Sequence, residues 1–213
     1  MPPVVKPRVY DGTRRRAQAE RTRAAVLDVA QRLFLAHGYG ATTIAAIARE
    51  ADVSAETIYK AFGNKPGLVR AIHDVAFAGD GDVPTARRSD EMRSREADPR
   101  VLIRKWGEFA VEVMPRVAPI LLLVRSAAAS APDLSALWEE LENQRLTRMT
   151  ENARYFSEGD HLRSGVTAEE ARDVLWAYTS PELFERLVLR QRWPVNRWGQ
   201  FISDGIIASL LRE

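Results

Sequence analysis

Apolar side chains recur at helical spacing along almost the whole chain, and the stretches where they stop mark its joints. Val26, Leu27, Ala30, Leu33 and Phe34 form one stripe with charged residues opposite, which predicts a helix over about 18–37 closed by Gly38. Ile44, Ile47 and Ala48 follow at i, i+3 and i+4, with Thr42 or Thr43 able to cap the helix they define. Ala51-Asp52-Val53 makes a turn, and Ser54 caps a second short helix in which Ile58 and Phe62 pack back onto the first. Thr57, Lys60 and Ala61 are then left outside, with Ala55 and Glu56 at the exposed start. Two short helices arranged like this are a helix-turn-helix, which can lay its second member in a DNA major groove or serve as one hairpin of a helical core. Asn64 caps the next helix, carried by Leu68, Val69, Ile72, Val75 and Ala76 and ending near Gly79. Lys65 stands at its start beside free backbone N–H groups, a combination that attracts phosphate.

From Gly79 to Arg100 glycine, proline and charge replace the stripe, which reads as a linker with room for one short helical piece. Helical period then returns. Asp98-Pro99 starts a helix that stops at Met114-Pro115, and Pro119 starts another, apolar nearly all round and therefore central, ending near Ala131. Residues 132–157 form a long helix. Thr167 and Glu170 make a capping box for a helix over about 168–190, re-capped at Ser180-Pro181, and Pro194 opens a last helix over about 195–212. The expected fold class is all-α. The expected organisation is a basic flexible arm over 1–17, a helix-turn-helix domain over 18–80, a linker over 81–97 and a helical bundle over 98–213.

Composition narrows the chemistry. The 213 residues are 46% hydrophobic and 28% charged, which suits a folded globular protein. There is no cysteine, the three histidines (37, 73 and 161) fall in separate elements, and no HExxH motif occurs, so no enzyme activity, cofactor or metal is expected. The first sixteen residues lack the apolar core of a signal peptide, and the longest apolar run, Val117–Val124, is too short to span a bilayer. A cytoplasmic protein without membrane contact is expected. The net charge of +2 is uneven, since residues 1–80 carry twelve Lys/Arg against eight Asp/Glu. Arg14, Arg15 and Arg16 either follow DNA phosphates or belong to a solvated terminus.

Residues 21–80 resemble the DNA-binding domain of the tetracycline-repressor (TetR) family of bacterial transcription regulators. The resemblance rests on Leu27-Asp-Val-Ala-Gln-Arg-Leu-Phe34, Gly38-Tyr39, Thr43-Ile-Ala-Ala-Ile-Ala48, Val53-Ser54, Thr57-Ile-Tyr59, Phe62, Asn64-Lys65 and Leu68-Val69, in that order. It implies phosphate contacts at Thr43, Tyr59 and Lys65 and base-reading positions at Ala55, Glu56, Thr57 and Lys60. Arg15, Arg16, Thr42 and Ser54 complete the candidate DNA-binding set. Glu56 departs from the glycine often found there in the family; its carboxylate either reads a base or caps its helix. The second half resembles the family's regulatory domain. That implies a homodimer through the helices at about 168–190 and 195–212, with the small residues Gly205, Ala208 and Ser209 allowing close approach. It also implies a pocket for an unidentified small-molecule effector, with Trp106, Phe109, Met114, Leu121, Arg125, Trp138, Met149 and Trp176 as candidate lining; taken singly, each aromatic fits core better, and Arg125 fits pairing with an internal acid such as Glu108 or Glu112. The implied function is a ligand-responsive regulator, a repressor that leaves a palindromic operator when the effector binds. The alternative is a helical small-molecule carrier or adaptor that binds no DNA.

Overall fold

The computed structural model describes residues 12–79 and 85–212, and every regular element among them is helical. In order these are α1 (Gly12–Ala41), α2 (Ile44–Glu50), α3 (Ala55–Phe62), α4 (Lys65–Ala78), α5 (Thr85–Arg95), α6 (Pro99–Ala128), α7 (Pro132–Glu158), α8 (Ala168–Tyr178), α9 (Pro181–Phe184) with a wider π-turn over Glu185–Arg190, and α10 (Val195–Leu210). Helix starts are set by capping side chains. Thr43, Ser54, Asn64, Asp98, Thr167 and Ser180 each accept a backbone N–H of the first turn, and Thr167 and Glu170 form the reciprocal capping box. Each such cap contributes about 1 kcal/mol. The α1 helix breaks at Gly38, where φ is +81°, a conformation open to glycine and strained for other residues.

Three features differ from the sequence expectations. The expected arm over 1–17 is helical from Gly12, so Arg14, Arg15 and Arg16 lie on the first turns of α1; residues 1–11 lie outside the described residues. Arg, Ala, Gln and Glu are good helix formers, and no breaker follows Gly12, so α1 extends backward at little cost. Within the expected linker, residues 85–95 form α5, while 80–84 lie outside the described residues. The two helices expected on either side of Pro115 and Pro119 are one 30-residue helix, α6, that contains both prolines. An interior proline costs about 3 kcal/mol through its missing N–H and its clash with the preceding turn. Burial offsets that cost, because Val113, Met114, Val117, Ala118, Ile120, Leu121 and Val124 of this stretch are all buried.

One apolar core runs from the first helices into the bundle without a seam. Phe34, Ile47, Ile58, Leu68 and Ile72 from α1–α4 join Val117, Ile120 and Val124 of α6 and Leu134 of α7. A second core gathers α6, α7, α8 and α10 around Phe156, Leu175 and Leu210, and a third surrounds Trp198 and Phe184. The α6–α10 crossing is close because Gly107 and Gly199 face each other across it, with Ser203 Oγ donating to Gly199 O at 2.9 Å. Gly205 does not face outward for a partner copy as its size suggested; its Cα faces the Tyr178 ring of α8, while Ala208 is exposed.

Candidate nucleic-acid interface and apolar cavity

The α3 helix is eight residues long and is anchored by Ile58, which is 1% exposed. Ser54 Oγ accepts from Thr57 N at 3.1 Å, and the two hydroxyls lie 2.9 Å apart. Anchoring one face leaves the other to solvent. Glu56, Thr57, Tyr59 and Lys60 are exposed and Ala55 is half-buried. Ser54 supplies the cap through its own hydroxyl, and the Glu56 carboxylate makes no hydrogen bond or ion pair among the described residues. Behind α3, Arg23 of α1 donates to Ala61 O at 3.2 Å and lies 4.4 Å from the Phe62 ring centroid. Gly67 of α4 fits against Phe62 O, where any Cβ would collide with backbone. The exposed face of α3 is therefore held from its far end by α1 and α4.

The structure separates the remaining candidates. Thr43 is exposed at the start of α2, and its hydroxyl accepts from Ala46 N at 3.1 Å. Thr42 is 3% exposed and donates towards Gly38 O (2.9 Å) and Leu33 O (3.1 Å); its hydroxyl seals the end of α1 and does not face solvent, which corrects its place in the DNA-facing set. Arg15 and Arg16 are exposed on α1.

Lys65 also differs from expectation. Its ammonium turns inward to donate to Tyr39 O and sits 3.9 Å from the Tyr39 ring centroid. The N–H groups beside it are mostly taken: Gly67 N is capped by Asn64, Leu68 N bonds Asn64 O, and Pro66 has none. Burial lowers the Lys65 pKa, while the negative charge of Asp133 opposes that shift. Tyr39 donates its hydroxyl to Asp133 Oδ2 at 2.8 Å; burial, reinforced by Asp133, raises its pKa. These bonds join the corner after α1 to the start of α7 and to the start of α4.

A cavity of about 390 Å³ lies between α4, α6, α7, α8 and α10. Five of the expected lining residues meet there: Trp106, Phe109, Met114, Leu121 and Met149. Three do not. Arg125 is exposed at the far end of α6 and pairs with Glu182 at 2.9 Å, a partner neither sequence reading named. Trp138 packs against the first core, and Trp176 lies on the outer side of α8 under the Arg145 guanidinium, 4.9 Å from its ring centroid. Both are candidates as bulky apolar side chains, but their helices turn them to other neighbours. The lining also includes residues that sequence reasoning missed, among them His73 and Phe77 of α4 and Asn152 of α7. Asn152 carried a signal: it sits three residues after Met149 in the inward stripe, a polar residue where an apolar one is expected.

The cavity wall contains one titrating group with a pH consequence. Burial holds the His73 imidazole below its ordinary pKa of 6.5, against the opposing hydrogen bond that Asp74 Oδ1 accepts from Nδ1 at 3.2 Å. Above 6.5 the ring is neutral in both folded and unfolded chains. Below it the unfolded ring gains a proton that the folded ring resists, so stability falls as pH falls towards the lowered folded value. Thermal melts of the wild type should therefore drop as pH falls below 6.5, and His73→Asn should flatten part of that drop. An identical pH profile in the variant would remove His73 from the account.

Among the described residues no helix is long and apolar enough to cross a membrane, and no three His, Cys, Asp or Glu side chains gather as a metal site. Residues 26–72 match the family described as bacterial regulatory proteins, tetR family. The chain is 35% identical over 108 residues to the HTH-type transcriptional regulator TtgR of Pseudomonas putida, which covers 48% of this chain and 50% of that protein. It is 39% identical over 69 residues to the HTH-type transcriptional repressor ComR of Escherichia coli, covering 32% and 28%. The chain thus spans about half the length, or less, of these curated relatives. Among solved structures, NalD, the secondary repressor of the MexAB-OprM multidrug efflux pump in Pseudomonas aeruginosa, superposes with a TM-score of 0.71 at 21% identity, over 92% of this chain and 99% of that one. The SmeT–triclosan complex superposes with a TM-score of 0.70 at 20% identity, over 90% and 92%. At such identities the superpositions establish a shared fold.

Proposed function

We propose that the chain, whose residues 26–72 match the tetR family of bacterial regulatory proteins, is a ligand-responsive transcriptional repressor of that family. Residues 18–80 bind DNA, residues 98–213 bind the effector and dimerise, and the protein works in the cytoplasm without enzymatic activity. The observation that carries this reading is the position of α4. Its first turn, with Asn64 and Lys65, buttresses the helix-turn-helix, and its last turns, with His73, Asp74 and Phe77, wall the cavity. A helix of this length spans about 20 Å as a rigid rod. A ligand that binds better when the last turns of α4 are displaced therefore favours a conformer with α3 displaced, and DNA affinity falls by population shift.

Two copies are needed for a palindromic operator, and α8 to α10 supply the pairing surface. Trp176, Leu189 and Phe201 are exposed there, an arrangement that favours burial against a second copy. The two α3 helices then enter the major groove about one DNA turn apart. Thr57, Tyr59 and Lys60 contribute contacts to bases and phosphates, with Thr43 and the arginines at 15 and 16 on the backbone.

The test is binding of the full chain to a palindromic duplex selected from random oligonucleotides, followed across salt. For about six phosphate contacts per complex, affinity should fall on the order of 10³-fold between about 50 and 200 mM salt. A carrier or adaptor without DNA activity gives no such selection and no salt slope, and that outcome would replace the present reading.

A further inference from the structure

The cavity is apolar but not featureless, and its polar groups are unequal in kind. Asn152 is 4% exposed and lines it. Arg93 Nη1 donates to Asn152 Oδ1 at 3.0 Å. A guanidinium can only donate, so the atom it touches must be the amide oxygen, and the amide nitrogen is left as a donor. That nitrogen has no hydrogen-bond partner among the described residues. Trp106, also in the wall, has an Nε1 that is buried and unpartnered. An indole nitrogen can only donate. Both groups are therefore donors without an acceptor among the described residues.

Charge points the same way. Arg145 uses Nε and Nη2 on the Glu142 carboxylate and Nη1 on Trp176 O. Arg148 is bound by Asp90 and Glu151, and Arg70 by Glu140 with Asp74 nearby. His73 is neutral near pH 7 because burial lowers its pKa. Each cation around the cavity is thus matched by at least one carboxylate. A carboxylate ligand would have to break an existing pair, and an ammonium would meet an Asp74 already engaged by His73 and Arg70, and beside it the two unpaired donors.

We propose that the cavity takes an uncharged lipophilic molecule bearing a carbonyl-type acceptor, such as a ketone, lactone or ester, held by Asn152 Nδ2 and Trp106 Nε1. This deepens the regulator reading and rests on it for the cavity being the effector site. The volume suits a small organic molecule, because ligand pockets begin at about 300 Å³. Met114 and Met149 supply a compliant thioether wall for its apolar part.

Calorimetry on the full chain with three probes of equal carbon number tests it: methyl nonyl ketone, undecanoate and undecylammonium, near neutral pH. The ketone should bind at least about tenfold tighter than either ion, since one well-placed hydrogen bond without a desolvated charge supports about that ratio. Asn152→Leu should weaken the ketone several-fold; if that variant fails to fold, Trp106→Phe removes the other donor alone. Ala110→Phe, which fills the cavity, should abolish binding of every probe. An ion that binds as tightly as the ketone overturns the proposal. If Ala110→Phe also abolishes that ion's binding, the cavity stays the effector site and only the ligand class is wrong. Ketone affinity unchanged in both donor variants overturns the proposal as well. Failure of all probes to bind, or binding that Ala110→Phe leaves intact, overturns the cavity assignment too, while selection of a duplex in the separate DNA assay leaves the DNA-binding reading standing.

Discussion

Thr57→Glu should abolish operator binding while leaving the protein at least as stable as before. Thr57 is exposed on α3, and only its backbone N–H and hydroxyl engage Ser54. It is the third residue of the helix after its Ser54 cap, the position at which glutamate completes a capping box by reaching back to the cap's own N–H. A carboxylate in this first turn also suits the helix dipole. Folding therefore gains a few tenths of a kcal/mol or stays level. Against DNA the same carboxylate faces phosphates and base edges beside Glu56, which already has no partner to neutralise it. Losing one good base contact costs about 1–3 kcal/mol per half-site, so two half-sites cost about 2–6 kcal/mol, on the order of 30-fold to 10⁴-fold in affinity. The opposite signs make the result diagnostic, because a misfolded variant would lose both properties. A variant that melts like the wild type and binds the selected duplex within threefold would show that α3 does not enter the groove.

The helix-turn-helix was legible because local rules govern it. Ser54, Asn64 and Thr43 act within three residues of the N–H groups they cap, and Ile58 must turn inward if Ile47 does. Helical period reads such relations directly. The places where sequence reading failed depend on what lies across the fold. Thr42 and Thr43 are equivalent as letters, and only the break of α1 at Gly38 decides which hydroxyl faces inward. Pro115 and Pro119 predict helix ends locally, but packing on both sides of α6 carries the helix through them. Lys65 was legible as a cation at a helix start, whereas its bond to Tyr39 and the neighbouring Asp133 joins residues far apart in sequence. The cavity was legible in part for the same reason. Trp106, Phe109 and Met114 face it along α6, yet Trp138 and Trp176 turn to other neighbours.

Gly199→Val should destabilise the chain more than substitution at Gly205 or Gly40, since a Cβ there meets both a packed side chain and the backbone of the facing helix. A Cβ at Gly199 would collide with Val111 Cγ2 and lie 3.0 Å from Gly107 O; the reciprocal Cβ at Gly107 would lie 2.8 Å from Gly199 O and collide with Ser203 Oγ. Neither carbonyl can move without shifting α6 or α10 as a whole. Overpacking of this kind costs about 3 kcal/mol or more. For a chain of this length that lowers Tm by about 10 °C. Two glycines provide a graded comparison. At Gly205 the added Cβ meets the Tyr178 ring, a side chain that can swing aside, so Gly205→Ala should cost less. At Gly40 nothing lies within 4 Å, so Gly40→Ala should be neutral or stabilise by about 0.5 kcal/mol through the unfolded chain. The consequence reaches the cavity, because Ile202, Ser203 and Ile206 of α10 form one of its walls and follow the position of the crossing. A Gly199→Val variant that still folds should therefore lose affinity for the ketone probe along with stability, while Gly40→Ala keeps both. Equal melting temperatures for the Gly199 and Gly205 variants would mean that the crossing is looser than these distances require.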